Sequence, residues 1–245
     1  MTNAKKKTPG ATKKKRVAPP KPVKARTPRK SEETRRIVLD TALALFRKRG
    51  FDETKMRDIA EGAGLALGAA YYYFPSKEAI VAAYYQRAQD EHNQRALAAY
   101  EGTTDLRARL RAAFHTKLEV VAHDRRILGA VLRGVGSPDD PLSIFGAATR
   151  AIREQSIATF DAALDGQALP ADLRPLVARA LWTLHLGVLL YFLHDRSPRQ
   201  ERTRKLADGA LDLLLDLLSF ASLPGMGPLR ARLLKVLAEA GLAVV

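Results

Sequence analysis

From Ser31 almost to its C-terminus the chain repeats apolar residues at helical spacing, and it shows no convincing alternation of apolar and polar residues over a strand's length. That regularity confines it to an all-α fold. Breakers cut the pattern into segments. The spacing predicts helices over 32–50, 55–62, 66–73, 77–100, 104–123, 125–134, 141–165, 172–195, 198–222 and 227–240. Arg47, Lys48 and Arg49 followed by Gly50 are cations and then a glycine, a helix C-terminal signal. Thr54 and Ser76 stand where the second and fourth helices need an N-cap, and Ser197 before Pro198 repeats the signal for a later one. No repeat at a solenoid period is present.

Residues 1–30 break this pattern. They hold twelve Lys and Arg, five prolines and no Asp or Glu, a composition expected to stay disordered. The chain's net charge of +15 is therefore mostly in this tail, and the rest carries 29 basic against 26 acidic residues. The charged start has no apolar segment of the kind a secretion signal needs. No run of 18 apolar residues occurs, the richest being 186–193, so no membrane partner is expected. With 47% apolar residues over 245 positions, the body can bury a core. The absence of Cys excludes a disulfide framework, a thiolate metal site and a cysteine nucleophile, and it fits a reducing cytosol.

Two short helices joined by a glycine-containing turn, 55–62 and 66–73, have the size of a helix-turn-helix. Val38, Ala42, Leu45, Phe46, Phe51, Met56, Ile59, Ala60, Ala63, Leu65, Ala70 and Phe74 can close one three-helix core around it.

Over about residues 32–92 the chain resembles the TetR family of bacterial transcriptional regulators. The resemblance lies in 38–46, Gly50-Phe51, Thr54, 57–65 and the ending Gly68-Ala69-Ala70-Tyr71-Tyr72-Tyr73-Phe74-Pro75-Ser76-Lys77-Glu78-Ala79-Ile80. After the disordered basic tail (1–30) that composition predicts, it implies a DNA-binding domain (32–92, helix-turn-helix at about 55–74) and a helical effector-binding and dimerisation domain (93–245). It implies a homodimer on a palindromic operator in double-stranded DNA, cytoplasmic and nucleoid-associated. The function implied is repression relieved by a small-molecule effector, which the sequence does not identify.

Carried over position by position, Thr54 and Lys55 resemble phosphate contacts, with a helix cap as the other role of Thr54. Leu67, Gly68, Ala69 and Tyr72 stand where the family faces base edges. Tyr71 resembles a phosphate-contacting tyrosine or packs its ring, Tyr73 packs, and Lys77 is a phosphate clamp or a solvated lysine. The sequence departs from the family at Ala66, often a Ser cap, at Leu67, often polar, and at Ala69, often Thr. Leu67 and Ala69 can meet thymine methyl groups but cannot hydrogen-bond a base, so direct readout falls to Tyr72, with duplex shape supplying the rest.

In the C-terminal half, segment 184–193 is apolar on nearly all sides, and Leu206, Ala210, Leu213, Leu214, Leu217 and Leu218 form a stripe. Helices 172–195 and 198–222 thus need cover on more than one face, which an intramolecular core or a second subunit could supply. Phe114, His115, Leu118, Phe145, Ile152, Phe160, Trp182, His185 and Tyr191 are the candidate lining of an effector pocket. The histidines lack the spacing of a local metal pair, so no metal and no cofactor are expected.

A second function is an architectural DNA protein held by the tail, whose lysines would add affinity without sequence information. A solubilising or localising role for the tail is also open. An enzyme is not expected. No HExxH, P-loop, GxSxG or zinc-deaminase pattern is present, and Gly62-x-Gly64 follows a helix rather than a strand.

Overall fold

The computed structural model describes residues 28–133, 140–221 and 223–239, and among these it contains no strand. Among the described residues ten α-helices follow one another: α1 (Pro28–Arg49), α2 (Met56–Gly62), α3 (Leu67–Tyr73), α4 (Lys77–Glu101), α5 (Leu106–Val120), α6 (Arg125–Arg133), α7 (Arg150–Ala163), α8 (Arg174–His194), α9 (Glu201–Ala221) and α10 (Gly227–Glu239). The disorder expected of the tail lies outside the described residues as far as 27. Pro28 to Lys30 instead form the first turn of α1, where proline's missing N–H leaves no bond unmade.

Two apolar cores are joined by α4. The first gathers Leu43, Phe46, Ile59, Ala70, Phe74 and Ile80. It is larger than a three-helix core, because Tyr84 of α4, Ile127 and Val131 of α6, and Leu142 and Ile144 also close it. Leu45, Phe51, Ala63 and Leu65 sit at its edge, half-buried. The second core packs Phe114, Phe160, Leu181, Phe192 and Leu211 from α5, α7, α8 and α9. The N-terminal half of α4 serves the first core and Ala96 and Tyr100 the second, so any domain boundary falls inside that helix.

The helix expected over 141–165 begins only at Arg150. Its apolar periodicity is real, but Pro141 has no N–H and Gly146 sits where a Cβ would lie 3.1 Å from the Ser143 carbonyl oxygen. Side chains bond the backbone of this segment instead. The Asp140 carboxylate accepts from the Leu142 N–H (2.7 Å), Thr149 Oγ1 donates to the Ser143 carbonyl (2.5 Å), and Arg153 donates to that of Ile144 (2.9 Å). Leu142 and Ile144 can then enter the first core without helical structure.

The helix expected from Pro198 begins at Glu201, after a 3-10 turn in which Arg199 and Gln200 take positive φ. Ser197 still contributes, its Oγ accepting from the Arg202 N–H at 3.1 Å. Asp195 adds the stronger hold, accepting from the Thr203 N–H (2.9 Å) and hydroxyl (2.7 Å) and from the Ser197 N–H and hydroxyl. Burial pushes this carboxyl's pKa up, but those four bonds outweigh it and hold the pKa well below the usual range.

Helix α8 corrects the reading of its hydropathy. It is 21 residues long with a mean hydropathy of 1.7 over its most apolar window, enough by length and composition to cross a bilayer. A scan for uninterrupted apolar runs misses it because Arg179 and His185 interrupt the run. In the fold, Leu181, His185, Val188 and Phe192 are buried in the second core, while Leu190 and Tyr191 are exposed.

Candidate functional site

The turn from α1 into α2 sets the position of the helix-turn-helix. Gly50, at φ +96, ends α1. Thr54 is fully buried, and its hydroxyl donates to the Gly50 carbonyl at 2.7 Å. The N-cap of α2 is Lys55, whose N–H donates to the Asp58 carboxylate at 2.9 Å. Thr54 therefore reaches backward to close the turn. It neither caps α2 nor presents its hydroxyl to a phosphate, a correction to both sequence readings. Lys55 is exposed.

Gly64, at φ +67, turns the chain into α3, and Ala66 caps that helix without a side-chain bond. Ala70 is fully buried, which fixes how α3 is rolled about its axis. Leu67 packs half-buried against the first core and Ala69 is also half-buried, whereas Gly68 is exposed. Tyr71 is 46% exposed and Tyr72 79%, the latter with its ring edge-on to Tyr73 at 5.2 Å. A large aromatic left that open on a seven-residue helix contributes little to the fold.

Ser76 Oγ accepts from the Ala79 N–H at 3.2 Å and caps α4. Lys77 beside it is half-buried. Its Nζ donates to the Phe51 carbonyl at 2.7 Å and to that of Asp52 at 3.4 Å, and lies 4.4 Å over the Phe51 ring. The sequence offered a phosphate clamp or a solvated lysine. The structure gives this side chain another job, bracing the α1–α2 loop. Arg35, which the sequence reading did not single out, is exposed and stacks over Phe74 at 4.5 Å, just beyond the end of α3.

A second candidate site lies between α4, α5, α6, α7 and α8. It is a cavity of about 30 Å³, lined by Tyr84, Tyr85, Lys117, Leu128, Trp182 and His185 among others, large enough for water but not for an organic ligand without widening. Of the nine residues expected at a pocket, only Trp182 and His185 line it. Phe114 and Phe160 are core residues packed on the His185 ring at 5.6 and 5.4 Å, and Leu118 and Ile152 are buried away from the cavity. Phe145 and Tyr191 are exposed, though Phe145 meets the Trp182 ring edge-on at 5.8 Å. His115 faces α9, bonded to Asp208 and Arg204 at 2.8 Å each. Helical spacing showed which faces are buried, but not which buried face meets a void.

A polar chain that the sequence reading missed runs through this region. Lys117 Nζ, buried, donates to Gln89 Oε1 at 2.9 Å, and His92 Nε2 bonds the Ala113 carbonyl at 2.8 Å. The His92 and His185 rings stack at 6.0 Å, and neither ring nitrogen of His185 has a partner. Burial lowers the Lys117 pKa to about 7. Burial first, then the charge of Lys117, lowers His92 to about 3 despite its backbone bond, and the same causes carry His185 well below the usual value. Both histidines are therefore uncharged at neutral pH. The signal was available, since Lys117 falls in the stripe Leu110, Ala113, Phe114, Leu118 and Val121 that the helix buries.

Helix α6 touches both sites. At its start, Asp124 pairs with Arg47 of α1 at 2.5 Å, and Arg126 donates to the Lys48 carbonyl at 2.6 Å. Ile127 and Val131 enter the first core, while Leu128 lines the cavity.

Comparison with known proteins agrees with this architecture. The family model described as bacterial regulatory proteins, tetR family, matches residues 38–84, and one described as tetracyclin repressor-like, C-terminal domain, matches 109–231. The HTH-type transcriptional repressor KstR2 of Mycobacterium tuberculosis (strain H37Rv) is 34% identical over 86 residues, which are 35% of this chain and 43% of that protein. The matched stretches thus span less than half the length of such curated relatives. A tetR-family transcriptional regulator from Streptomyces coelicolor superimposes with a TM-score of 0.58 at 27% identity, covering 86% of this chain and 98% of the other. Thermus thermophilus FadR, a TetR-family repressor solved in complex with lauroyl-CoA, gives 0.59 at 22% identity over 74% of this chain and 93% of its own.

Proposed function

Because this chain belongs to the TetR family of bacterial regulatory proteins, we propose that it is a dimeric transcriptional repressor that reads a duplex operator through α3 and is released by a small-molecule effector. The observation that carries the reading is the solvent face of α3, with Gly68, Tyr71 and Tyr72 open beside a fully buried Ala70. Gly68 lets the duplex approach the helix closely. Tyr72 supplies a hydroxyl and a ring edge at the groove floor, and Tyr71 points a hydroxyl toward the backbone. Lys55 and Arg35 are the cations placed for phosphates, and Thr54 and Lys77 hold the loop that aims them.

The DNA-binding unit spans 32–92, and the effector-binding and dimerising unit 93–245. Apolar residues left uncovered by the monomer fit a subunit interface: Leu190 and Tyr191 on α8, and Leu206, Leu213, Leu217 and Phe220 on α9, which recur at helical spacing. Pairing α8 and α9 with their symmetry copies covers both stripes and sets two α3 helices against successive turns of the duplex, about 34–36 Å apart. An effector must widen a cavity of about 30 Å³. Widening displaces Leu128, and α6 carries that motion to Arg47 and Lys48 of α1, changing the α3 spacing. The protein acts on DNA in the cytoplasm and is not an enzyme.

Deleting residues 1–27 separates this reading from an architectural protein driven by the tail. The shortened chain is expected to keep its preference for one duplex over bulk DNA while losing overall affinity and part of its salt slope. Loss of all sequence preference with the tail would refute the repressor reading.

A further inference from the structure

The cavity behind α6 has an unusual occupant for an apolar lining. Lys117 is 3% exposed, lines the cavity, and forms no ion pair among the described residues. The Lys117 ammonium donates to the neutral Gln89 amide oxygen. His185, 2% exposed, lines the same cavity with both ring nitrogens unpartnered. Tyr84 and Tyr85 on α4, Ser156 on α7 and Trp182 on α8 complete that end of it, and none is a carboxylate. A buried ammonium without an anion is unfavourable to the fold, and an unbonded imidazole beside it adds to the cost. Both become favourable once an anion arrives.

Resting on the effector-released repressor reading, we propose that the effector is an apolar organic acid, its carboxylate paired with Lys117 and accepting a hydrogen bond from His185, its body filling the widened space beside Tyr85 and Trp182. The chemistry follows from the groups present. Lys117 supplies charge. Neutral His185 can donate from one nitrogen, and its ring is held by Phe114 and Phe160. The remaining surface is hydrophobic and aromatic, which suits a hydrocarbon body rather than a sugar or nucleotide. Burial already lowers the Lys117 pKa to about 7. A bound carboxylate restores its charge, so recognition and protonation reinforce each other.

Trp182, the only tryptophan, lines the cavity and reports on it by fluorescence. The test titrates the full-length protein with hexanoic, decanoic, 4-phenylbutyric and 2-naphthoic acids, each beside its own primary amide, and follows Trp182 emission and melting temperature. At least one acid is expected to bind about tenfold or more tightly than its amide. In Lys117→Met that preference should fall to about twofold or less, and in Lys117→Arg, which keeps the charge, it should persist. Ligand-free duplex binding by Lys117→Met is measured alongside and should match the unaltered protein, showing that the variant is folded. The proposal fails if no acid binds, if amides bind as well as acids, or if the acid preference survives in Lys117→Met. Failure of the repressor reading shows differently, as absence of sequence-preferring duplex binding by the unaltered protein.

Discussion

Replacing Lys77 by methionine separates what this residue does for the fold from what it does for DNA. Methionine keeps most of the aliphatic stem and removes the ammonium. Lost with it are the 2.7 Å bond to the Phe51 carbonyl and the contact over the Phe51 ring at 4.4 Å. A hydrogen bond from a charged donor contributes about 1.5–3 kcal/mol net, and half-exposure puts this one near the lower end. A cation over an aromatic ring at a surface adds about 0.5–1 kcal/mol. The sum is about 2 kcal/mol, which for a protein of this size lowers the melting temperature by about 4–8 °C. Calorimetry on the DNA-free protein reads that number without any operator. Hydrogen exchange should place the loss at residues 50–55, where the brace is removed. An unchanged melting temperature would refute the bracing role. If that result came with a salt slope of duplex binding reduced by about 0.9, the residue would be a phosphate clamp alone.

Two glycines of the helix-turn-helix should respond oppositely to alanine. At Gly62 a Cβ would lie 2.8 Å from the Thr41 methyl group, so Gly62→Ala should destabilise by about 1–3 kcal/mol in urea unfolding. At Gly68 nothing lies within 4 Å, so Gly68→Ala should stabilise α3 by about 0.5–1 kcal/mol while weakening duplex binding. Asp195→Asn should cost about 1–2 kcal/mol at pH 7 by weakening the bonds that start α9. Because the Asp195 carboxyl is lower in the folded state, its contribution is complete above its unfolded pKa of about 3.9 and fades as pH falls through the folded value. The two unfolding curves should therefore converge in acid, and a gap that widened on acidification would contradict this. Leu213→Asp with Leu217→Asp, both 66% exposed in the monomer, should leave helicity intact by circular dichroism and yield monomers in sedimentation.

The first four helices were legible in the sequence because local signals mark where they stop or start, such as Gly50 after three cations or Ser76 before Lys77. The start of α7 was not legible, since Leu142, Phe145, Ala148 and Ile152 satisfy a helical period, while the turn is held by Asp140, Thr149 and Arg153 acting across several residues. Thr54 was misread for a related reason: a hydroxyl before a helix can reach forward or backward, and only the positive φ of Gly50 decides. The face of α3 was legible only in part: Gly68 and Tyr72 are exposed where the resemblance put them, but Leu67 and Ala69 are half-buried, because Ala70 sets the roll of the helix. The cavity was not, because its walls come from five helices whose relative rotation no single segment encodes. Lys117 could have been found, as the one charged residue in an otherwise apolar stripe of α5.

Whether α3 reads DNA as one half of a symmetric pair can be measured by selecting bound fragments of genomic DNA with purified protein and sequencing them. The fragments should share an inverted repeat with half-site centres about 10–10.5 base pairs, or a multiple of that, apart. Tyr72→Ala should blur the repeat while retaining general affinity for duplex. Fragments without a common repeat, or the same repeat recovered unchanged with Tyr72→Ala, would contradict the reading.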